Sequence, residues 1–227
     1  MNAVSSGFYL LWAVLVMAFL VTDNIALVPP EVTWILRPLP LLLLALWTAW
    51  HWPQYQQRRL ALLVGVGLFA AADAVAWDAG HFTLTLVLSM CGFVAYITWA
   101  AQTVAMGQLR WMLSIPVILG AMLATYRLWY VPGLIHEALV VYAVLVTIFV
   151  LAVILCSRVH RIAIPGAILL AFSQWIMGHQ MFVGGIPHAA VYSMILWYGG
   201  HFLLLHAPLW HQPSRDTPFG YVLDHGD

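Results

Sequence analysis

Lysine is absent from the sequence, and charged residues of every kind are scarce. Asp, Glu, Lys and Arg together make up 7% of the 227 residues, whereas hydrophobic residues make up 64%. An average soluble domain contains about 25% charged residues, and so few charges cannot cover a surface that faces water. The composition therefore excludes an ordinary soluble domain and indicates a polytopic membrane protein.

Net charge, paired cysteines and common hydrolase motifs are lacking as well. The formal net charge is zero, so we expect no nucleic-acid partner. Cys91 and Cys156 stand singly in apolar runs, without the spacing of a disulfide framework or a thiolate metal site. The chain contains no Gly-x-Ser-x-Gly elbow and no His-Glu-x-x-His pair. We therefore expect neither a metal ion nor another cofactor.

Long apolar runs, separated by polar, Pro or Gly clusters, divide the chain into candidate spans. A helix needs about 20 mainly apolar residues to cross a bilayer. The eight predicted spans are Gly7–Val21, Trp34–Trp50, Leu60–Trp77, Phe82–Met106, Trp111–Tyr126, Leu134–Cys156, Ile162–Phe182 and Ala189–Pro208. We predict an all-α bundle of about eight transmembrane helices as a single domain over residues 1–208. Residues 209–227 are predicted to form a flexible cytoplasmic tail.

The arginines determine the predicted orientation, because basic residues favour the cytoplasmic side. Arg37 and Arg127 fall on one side of the predicted bundle. The other six fall on the opposite side, namely Arg58, Arg59, Arg110, Arg158, Arg161 and Arg215. This distribution predicts that both termini are cytoplasmic. The apolar N-terminal residues lack the basic segment and cleavage site of a signal peptide, so we expect a retained first span.

Asp73 is the leading candidate for a functional residue, because ionisable side chains at membrane depth are costly and usually functional. It lies in the third predicted span among small residues that allow another helix to approach closely. Two interpretations stay open: a functional carboxyl group, or a structural carboxylate paired with a His or Arg neighbour. Arg37 opens the second span, where it either binds a phosphate bidentately or, by default, extends to the interface.

Polar side chains in the seventh and eighth predicted spans are the other candidates. Asp73 lies 13 residues beyond Leu60 and Gln174 lies 13 residues beyond Arg161, about 20 Å at 1.5 Å per residue, so we expect them to share one site with Ser173. Tyr198 and His201 enter from the eighth span, although a neutral His bonded across helices is the simpler interpretation of His201. The least favoured alternative is a metal site built from His81, His136, His179 and His188.

Four segments follow one another in an order that matches a known family. They are Arg37-Pro-Leu with its leucine run, Asp73 in the third span, Gly166-Ala-Ile-Leu-Leu-Ala-Phe-Ser173, and Gly200-His-Phe-Leu203. Together they resemble the YhhN-type lysoplasmalogenase family of small eight-span membrane proteins. The chain departs from the family pattern where the second Asp is Gln174 and the Gly before the first Asp is Ala72. The fourth-span His of bacterial members has no counterpart in Cys91–Tyr96.

The resemblance implies hydrolysis of the vinyl-ether bond of lysoplasmalogens or a related lysolipid by general acid/base catalysis. Asp73 is then the predicted proton donor, and Gln174 with Ser173 places water. The predicted substrate-binding residues are Arg37, Tyr96, Tyr142, Ser173, Tyr198 and His201.

The expected partners are a lysophospholipid-type substrate and the bilayer of a bacterial inner membrane, and the sequence leaves the oligomeric state open. The alternative function follows from Gln174, which cannot replace a carboxylate in proton transfer. On that interpretation the protein is a catalytically impaired family member that binds or transports a lipid or another small ligand.

Overall fold

The computed structural model describes residues 3–24, 29–51, 59–76, 79–101, 108–128, 135–156 and 161–210. Within these ranges the chain forms nine α-helices, one short 3₁₀ helix and no strand. The α-helices are α1 (Ala3–Asn24), α2 (Pro30–Leu36), α3 (Leu39–Trp50), α4 (Arg59–Val75), α5 (Phe82–Ala100), α6 (Gln108–Leu128), α7 (Ile135–Leu155), α8 (Ala163–Phe182) and α9 (Ala189–Trp210). The 3₁₀ helix, Ala79–His81, leads directly into α5.

Each of the eight predicted spans is helical in the structure. The second span is broken into α2 and α3, and every other span corresponds to one helix. The fourth span is shorter than predicted, because α5 ends at Ala100 and Ala101 leaves the helical backbone with ψ 61°. The sequence prediction extended this span to Met106, and residues 102–106 lie outside the described residues.

The outer faces of the helices are apolar. Large hydrophobic side chains such as Leu10, Leu46, Met122 and Ile195 are exposed on four different helices, a pattern that is unfavourable in water and expected in lipid. Within the described residues, four segments are long and apolar enough to cross a membrane: Ser5–Asp23, Glu31–Trp50, Phe82–Ala100 and Glu137–Leu155. The fold is that of a helical membrane protein, as predicted; the direction of crossing stays a prediction.

Two pairs of consecutive helices form the centre of the bundle. Helix α4 packs along α5, and α8 packs along α9, while α7 contacts α5, α6 and α8. Helix α3 contacts α4 and α9, and α1 lies against α2, α3 and α9. The core between them is rich in aromatic side chains, including Phe69, Phe93, Tyr96, Phe149 and Tyr198, all of them fully buried.

The end of α7 is tied to α6 by an arginine. The Arg110 guanidinium donates hydrogen bonds to the carbonyl oxygens of Ile154, at 3.2 Å, and of Cys156. Carbonyl groups in the last turn of a helix lack partners within the helix, so Arg110 supplies donors for them. At the other end of the chain, α9 continues to Trp210, two residues beyond the predicted domain boundary. The remainder of the predicted tail lies outside the described residues.

Candidate active site

Asp73 lies near the end of α4 and is almost completely buried. Its carboxylate oxygen Oδ2 accepts a hydrogen bond of 3.1 Å from the indole N–H of Trp197 on α9. Its other oxygen, Oδ1, is 3.7 Å from Nε of Arg37, and the Asp73 side chain is 8% exposed against 21% for Arg37. The carboxylate is therefore held by one hydrogen bond and one ion pair from different parts of the chain. Pairing of Asp73 with an arginine is part of one of the two interpretations that the sequence analysis left open.

Arg37 occupies the break between α2 and α3, and the break is encoded by proline. Pro38 and Pro40 carry no backbone N–H, so the helical hydrogen bonds that would end at these residues cannot form. The chain continues through a single turn in which the N–H of Arg37 bonds to Thr33 O at 3.0 Å. The hydroxyl of Tyr198 on α9 donates to the carbonyl oxygen of Arg37 at 2.7 Å. Arg37 therefore lies within the second span rather than at its end. The hydroxyl of Tyr198 on α9 fixes the backbone of Arg37.

Gln174 on α8 is bonded to a tyrosine. The Tyr142 hydroxyl on α7 donates to Oε1 of Gln174 at 2.8 Å. The same hydroxyl lies beside Ser89 on α5. Tyr142 therefore fixes the amide of Gln174, while the expectation that Gln174 and Asp73 share one site stays a prediction.

Tyr96 and His201 form a pair in the aromatic core. The Tyr96 hydroxyl is 2.9 Å from Nδ1 of His201, and neither residue is exposed. The imidazole lies edge-on to the Trp197 ring at 4.4 Å between centroids, and to Phe69 at 4.9 Å. This is a bond across helices, the simpler interpretation of His201. Because Trp197 contacts both His201 and Asp73, the pair supports the tryptophan that binds the carboxylate.

Ser173 is used in the contact between α8 and α9. Its hydroxyl donates to the carbonyl oxygen of Ser193 at 2.8 Å, and the Ser193 hydroxyl donates to the carbonyl oxygen of Ser173 at 3.1 Å. Seven residues earlier, Gly166 faces Gly200 so closely that an added Cβ would be 3.0 Å from Gly200 O. We call this contact, formed by Gly166, Ser173, Ser193 and Gly200, the α8–α9 seam.

The histidines named as an alternative metal site do not cluster among the described residues. No group of three His, Cys, Asp or Glu side chains in that part of the chain is arranged to hold a metal ion. His179 and His188 are half-buried and exposed respectively, and His81 is exposed at the start of α5. The side chain of His136 lies outside the described part of the structure.

Trp197 is the one site residue that the sequence analysis missed. Tryptophan in membrane proteins concentrates at the interfaces, and that expectation drew attention to the tryptophans at span ends. Trp197 instead lies well inside the eighth span, four residues before His201 and therefore on the same helix face. The signal available in the sequence was a tryptophan far from a span end and one helical turn from His201.

Comparison with known proteins identifies the family to which the chain belongs. The sequence profile of the YhhN family matches residues 32–207, which is 176 of the 227 residues. No curated protein and no solved structure matches the chain significantly. The matched region begins just before the α2–α3 break and ends within α9, so it includes Arg37, Asp73 and Trp197. With more than three quarters of its length matched, the chain belongs to the YhhN family.

Proposed function

We propose that the protein hydrolyses the vinyl-ether bond of lysoplasmalogens or a related lysolipid, with Asp73 as the catalytic acid. The observation that carries the proposal is the buried carboxyl group of Asp73, held between Arg37 and the indole N–H of Trp197. Membership of the YhhN family gives the reaction class through the resemblance described above. Asp73 is the carboxyl group of this arrangement, so it is the group to which we assign the proton transfer.

The first chemical step is proton transfer from Asp73 to carbon. Asp73 protonates the enol-ether carbon that is not bonded to oxygen, and the substrate becomes an oxocarbenium ion. The proton donor becomes a carboxylate in the same step. Arg37 and Trp197 already face its two oxygens, so the negative charge forms beside a cation and an N–H donor. Such preorganised stabilisation of developing charge is a major source of enzymatic rate enhancement.

The second step is the addition of water. Gln174, fixed by the Tyr142 hydroxyl at 2.8 Å, orients a water molecule toward the oxocarbenium carbon. The water forms a C–O bond and gives one proton to the Asp73 carboxylate, which restores the acid. The hemiacetal then breaks into a fatty aldehyde and the free glycerol hydroxyl of the headgroup fragment. One water is consumed per turnover, and a single carboxyl group that donates and then accepts a proton is sufficient.

The substrate orientation follows from the accessibility of the site. Arg37 is about one-fifth exposed, whereas Asp73 is nearly closed, so Arg37 forms the rim and binds the lipid phosphate. The hydrocarbon chain lies toward the bilayer. In the predicted orientation the rim faces the outer side of the membrane. We assign the protein to the inner membrane of a bacterium and the substrate to the lysophospholipid class.

The direct test measures aldehyde release. Purified protein in liposomes is supplied with a lysoplasmenylethanolamine, and the aldehyde is trapped and quantified by mass spectrometry. We expect Asp73→Asn to reduce the rate by about 10²–10⁴-fold, the usual range for loss of a general acid. Glu137→Gln, at an exposed position at the start of α7, is the matched control and should keep the original rate. Equal rates in wild type and Asp73→Asn would contradict the assignment.

A non-catalytic function is supported by one specific residue, Gln174. The family pattern described above has an Asp at this position, and an amide cannot exchange protons as a carboxyl group does. On this alternative the Asp73–Arg37 pair is structural, and the protein binds or transports a lipid. Gln174→Asp distinguishes the two. A gain of aldehyde release from an inactive wild type favours a scaffold that has lost a catalytic group, whereas lipid binding without turnover in both forms favours a binding protein.

A further inference from the structure

Two consecutive residues of α9 hold the two members of the Asp73–Arg37 ion pair. The indole N–H of Trp197 donates to Oδ2 of Asp73 at 3.1 Å, and the hydroxyl of Tyr198 donates to the carbonyl oxygen of Arg37 at 2.7 Å. Neighbouring residues of a helix point about 100° apart, so one turn of α9 reaches α4 with Trp197 and the α2–α3 break with Tyr198. The acid and the cation are therefore both fastened to a single turn of α9.

Tyr198 is fully buried, with 0% of its surface exposed. Its ring lies edge-on to Phe19 of α1, with 5.9 Å between the ring centroids. A tyrosine hydroxyl has one hydrogen to donate, and Tyr198 donates it to the backbone of Arg37. This arrangement favours a role of Tyr198 through Arg37 over the direct contact with substrate that the sequence analysis expected.

The Arg37 guanidinium lies beside Asp73 without closing on it. Its Nε is 3.7 Å from Oδ1 of Asp73, whereas a hydrogen-bonded ion pair has a distance of about 2.7–2.9 Å. The same Nε is buried and has no hydrogen-bond partner among the described residues. An unpartnered buried donor is costly, and this one faces a carboxylate. We infer that the anchoring of the two groups imposes the separation, rather than their mutual attraction.

The remainder of the Arg37 side chain connects this separation to the substrate. The side chain is 21% exposed although its Nε is buried, so the exposed part lies away from Nε. In the proposed function this part binds the lipid phosphate while Asp73 protonates the vinyl ether. The glycerol backbone limits how far apart these two groups of the lipid can be. Productive binding therefore requires a defined separation between Arg37 and Asp73.

We propose that Tyr198 is a positioning residue that sets the separation between the Arg37 guanidinium and the Asp73 carboxyl group through the carbonyl oxygen of Arg37. The site thereby selects a vinyl ether that carries a phosphate across one glycerol backbone over the same ether without phosphate. This inference rests on the proposed function and adds to it the residue that makes phosphate recognition effective.

The test compares two substrates that differ in the phosphate-containing headgroup. Protein in liposomes is supplied with a lysoplasmenylethanolamine or with a 1-O-alkenylglycerol of the same chain length, and aldehyde release is measured over a range of concentrations. In Tyr198→Phe we expect KM for the phospholipid to rise about fivefold, the usual effect of one lost hydrogen bond. KM for the 1-O-alkenylglycerol should stay unchanged, because that substrate has no phosphate for Arg37 to bind.

A spectroscopic measurement follows Arg37 without turnover. In protein labelled with ¹⁵N-arginine, the Nε resonance of Arg37 is assigned by its loss in Arg37→Lys. It should move in Tyr198→Phe, because the backbone that carries the guanidinium is released. Tyr192→Phe makes the same substitution at an exposed position on α9. This matched control should change neither the resonance nor either KM.

The outcomes separate the positioning role from a structural one and from the proposed function. An equal change of KM or kcat for both substrates in Tyr198→Phe would show a structural role only and overturn the proposal. An Arg37 resonance that stays in place in Tyr198→Phe would overturn it as well. If wild type releases no aldehyde from either substrate, the proposed function is wrong, and the Arg37 resonance alone decides whether Tyr198 positions the guanidinium.

Discussion

The α8–α9 pair and the α6–α7 pair show two ways in which neighbouring helices meet in this protein. In the α8–α9 seam, backbone faces backbone at Gly166 and Gly200, and two serines exchange hydrogen bonds. Between α6 and α7, a cleft of about 660 Å³ opens; it is lined by Ile118, Ala121, Met122, Thr125, Tyr126, Val144, Thr147 and Ile148.

The difference corresponds to the distribution of candidate site residues. Gln174, Trp197, Tyr198 and His201 are on α8 or α9, whereas the α6–α7 pair contributes Tyr142, on α7. Small residues allow helices in membranes to approach closely and to fix their relative rotation. We therefore infer that the closely packed α8–α9 pair positions the candidate site residues, whereas the open α6–α7 pair tolerates substitutions. Substitutions in each pair test this contrast.

Gly166→Leu should cause the largest loss of stability. A Cβ at residue 166 would be 3.0 Å from both Gly200 O and Leu204 N, and backbone atoms cannot move aside as a side chain can. We expect a loss of about 3 kcal/mol or failure to fold, measured by thermal unfolding in detergent. Gly120→Leu on α6 is the control, because nothing lies within 4 Å of its Cβ position. Similar losses of stability for Gly166→Leu and Gly120→Leu would show that the two helix pairs do not differ in packing.

Trp197→Phe should reduce activity more than it reduces stability. The phenyl ring keeps the edge-on contact with His201, but the N–H that donates to Asp73 is lost. We expect aldehyde release to fall about tenfold, which corresponds to about 1.4 kcal/mol. Trp175→Phe, at an exposed position on α8, serves as the control. An unchanged rate would show that the Trp197–Asp73 hydrogen bond has no part in the reaction.

Ser173→Ala distinguishes a packing role from the predicted role in placing water. The variant loses the hydroxyl bond to the Ser193 carbonyl, and hydrogen bonds between membrane helices contribute about 0.6 kcal/mol on average. We expect a stability loss of that size and an unchanged rate of aldehyde release. A tenfold lower rate with unchanged stability would instead place Ser173 at the substrate.

Ala121→Leu should have the smallest effect. Ala121 lines the open α6–α7 cleft, so the added carbons enter existing space, and we expect unfolding to change by less than about 0.5 kcal/mol. The control is Ala167→Leu on α8, where the residue is fully buried and overpacking should cost about 1–3 kcal/mol. If Ala121→Leu were equally destabilising, the cleft would be filled in the folded protein.

The helices could be predicted from the sequence because apolar runs and proline positions are local properties of the chain. The spans followed from the cost of placing polar groups in lipid, and the same cost singled out Asp73, whose role stays a prediction. The partners of Asp73 did not follow, because they depend on the rotation of α9 relative to α4. Adjacent residues on a helix differ by about 100°, so a small rotation exchanges one facing side chain for another. For the same reason, Ser173 could be named as a candidate while its contact with Ser193 was not foreseen.

The interruption at Arg37 has a mechanical consequence. Proline removes the hydrogen-bond donors covalently, so the interruption at Pro38 and Pro40 is built into the chain. The Arg37 carbonyl oxygen in this turn accepts from Tyr198 on α9, and the Arg37 guanidinium faces Asp73 on α4. The joint between α2 and α3 is therefore fastened from two other helices, so a displacement of either helix is transmitted to Arg37.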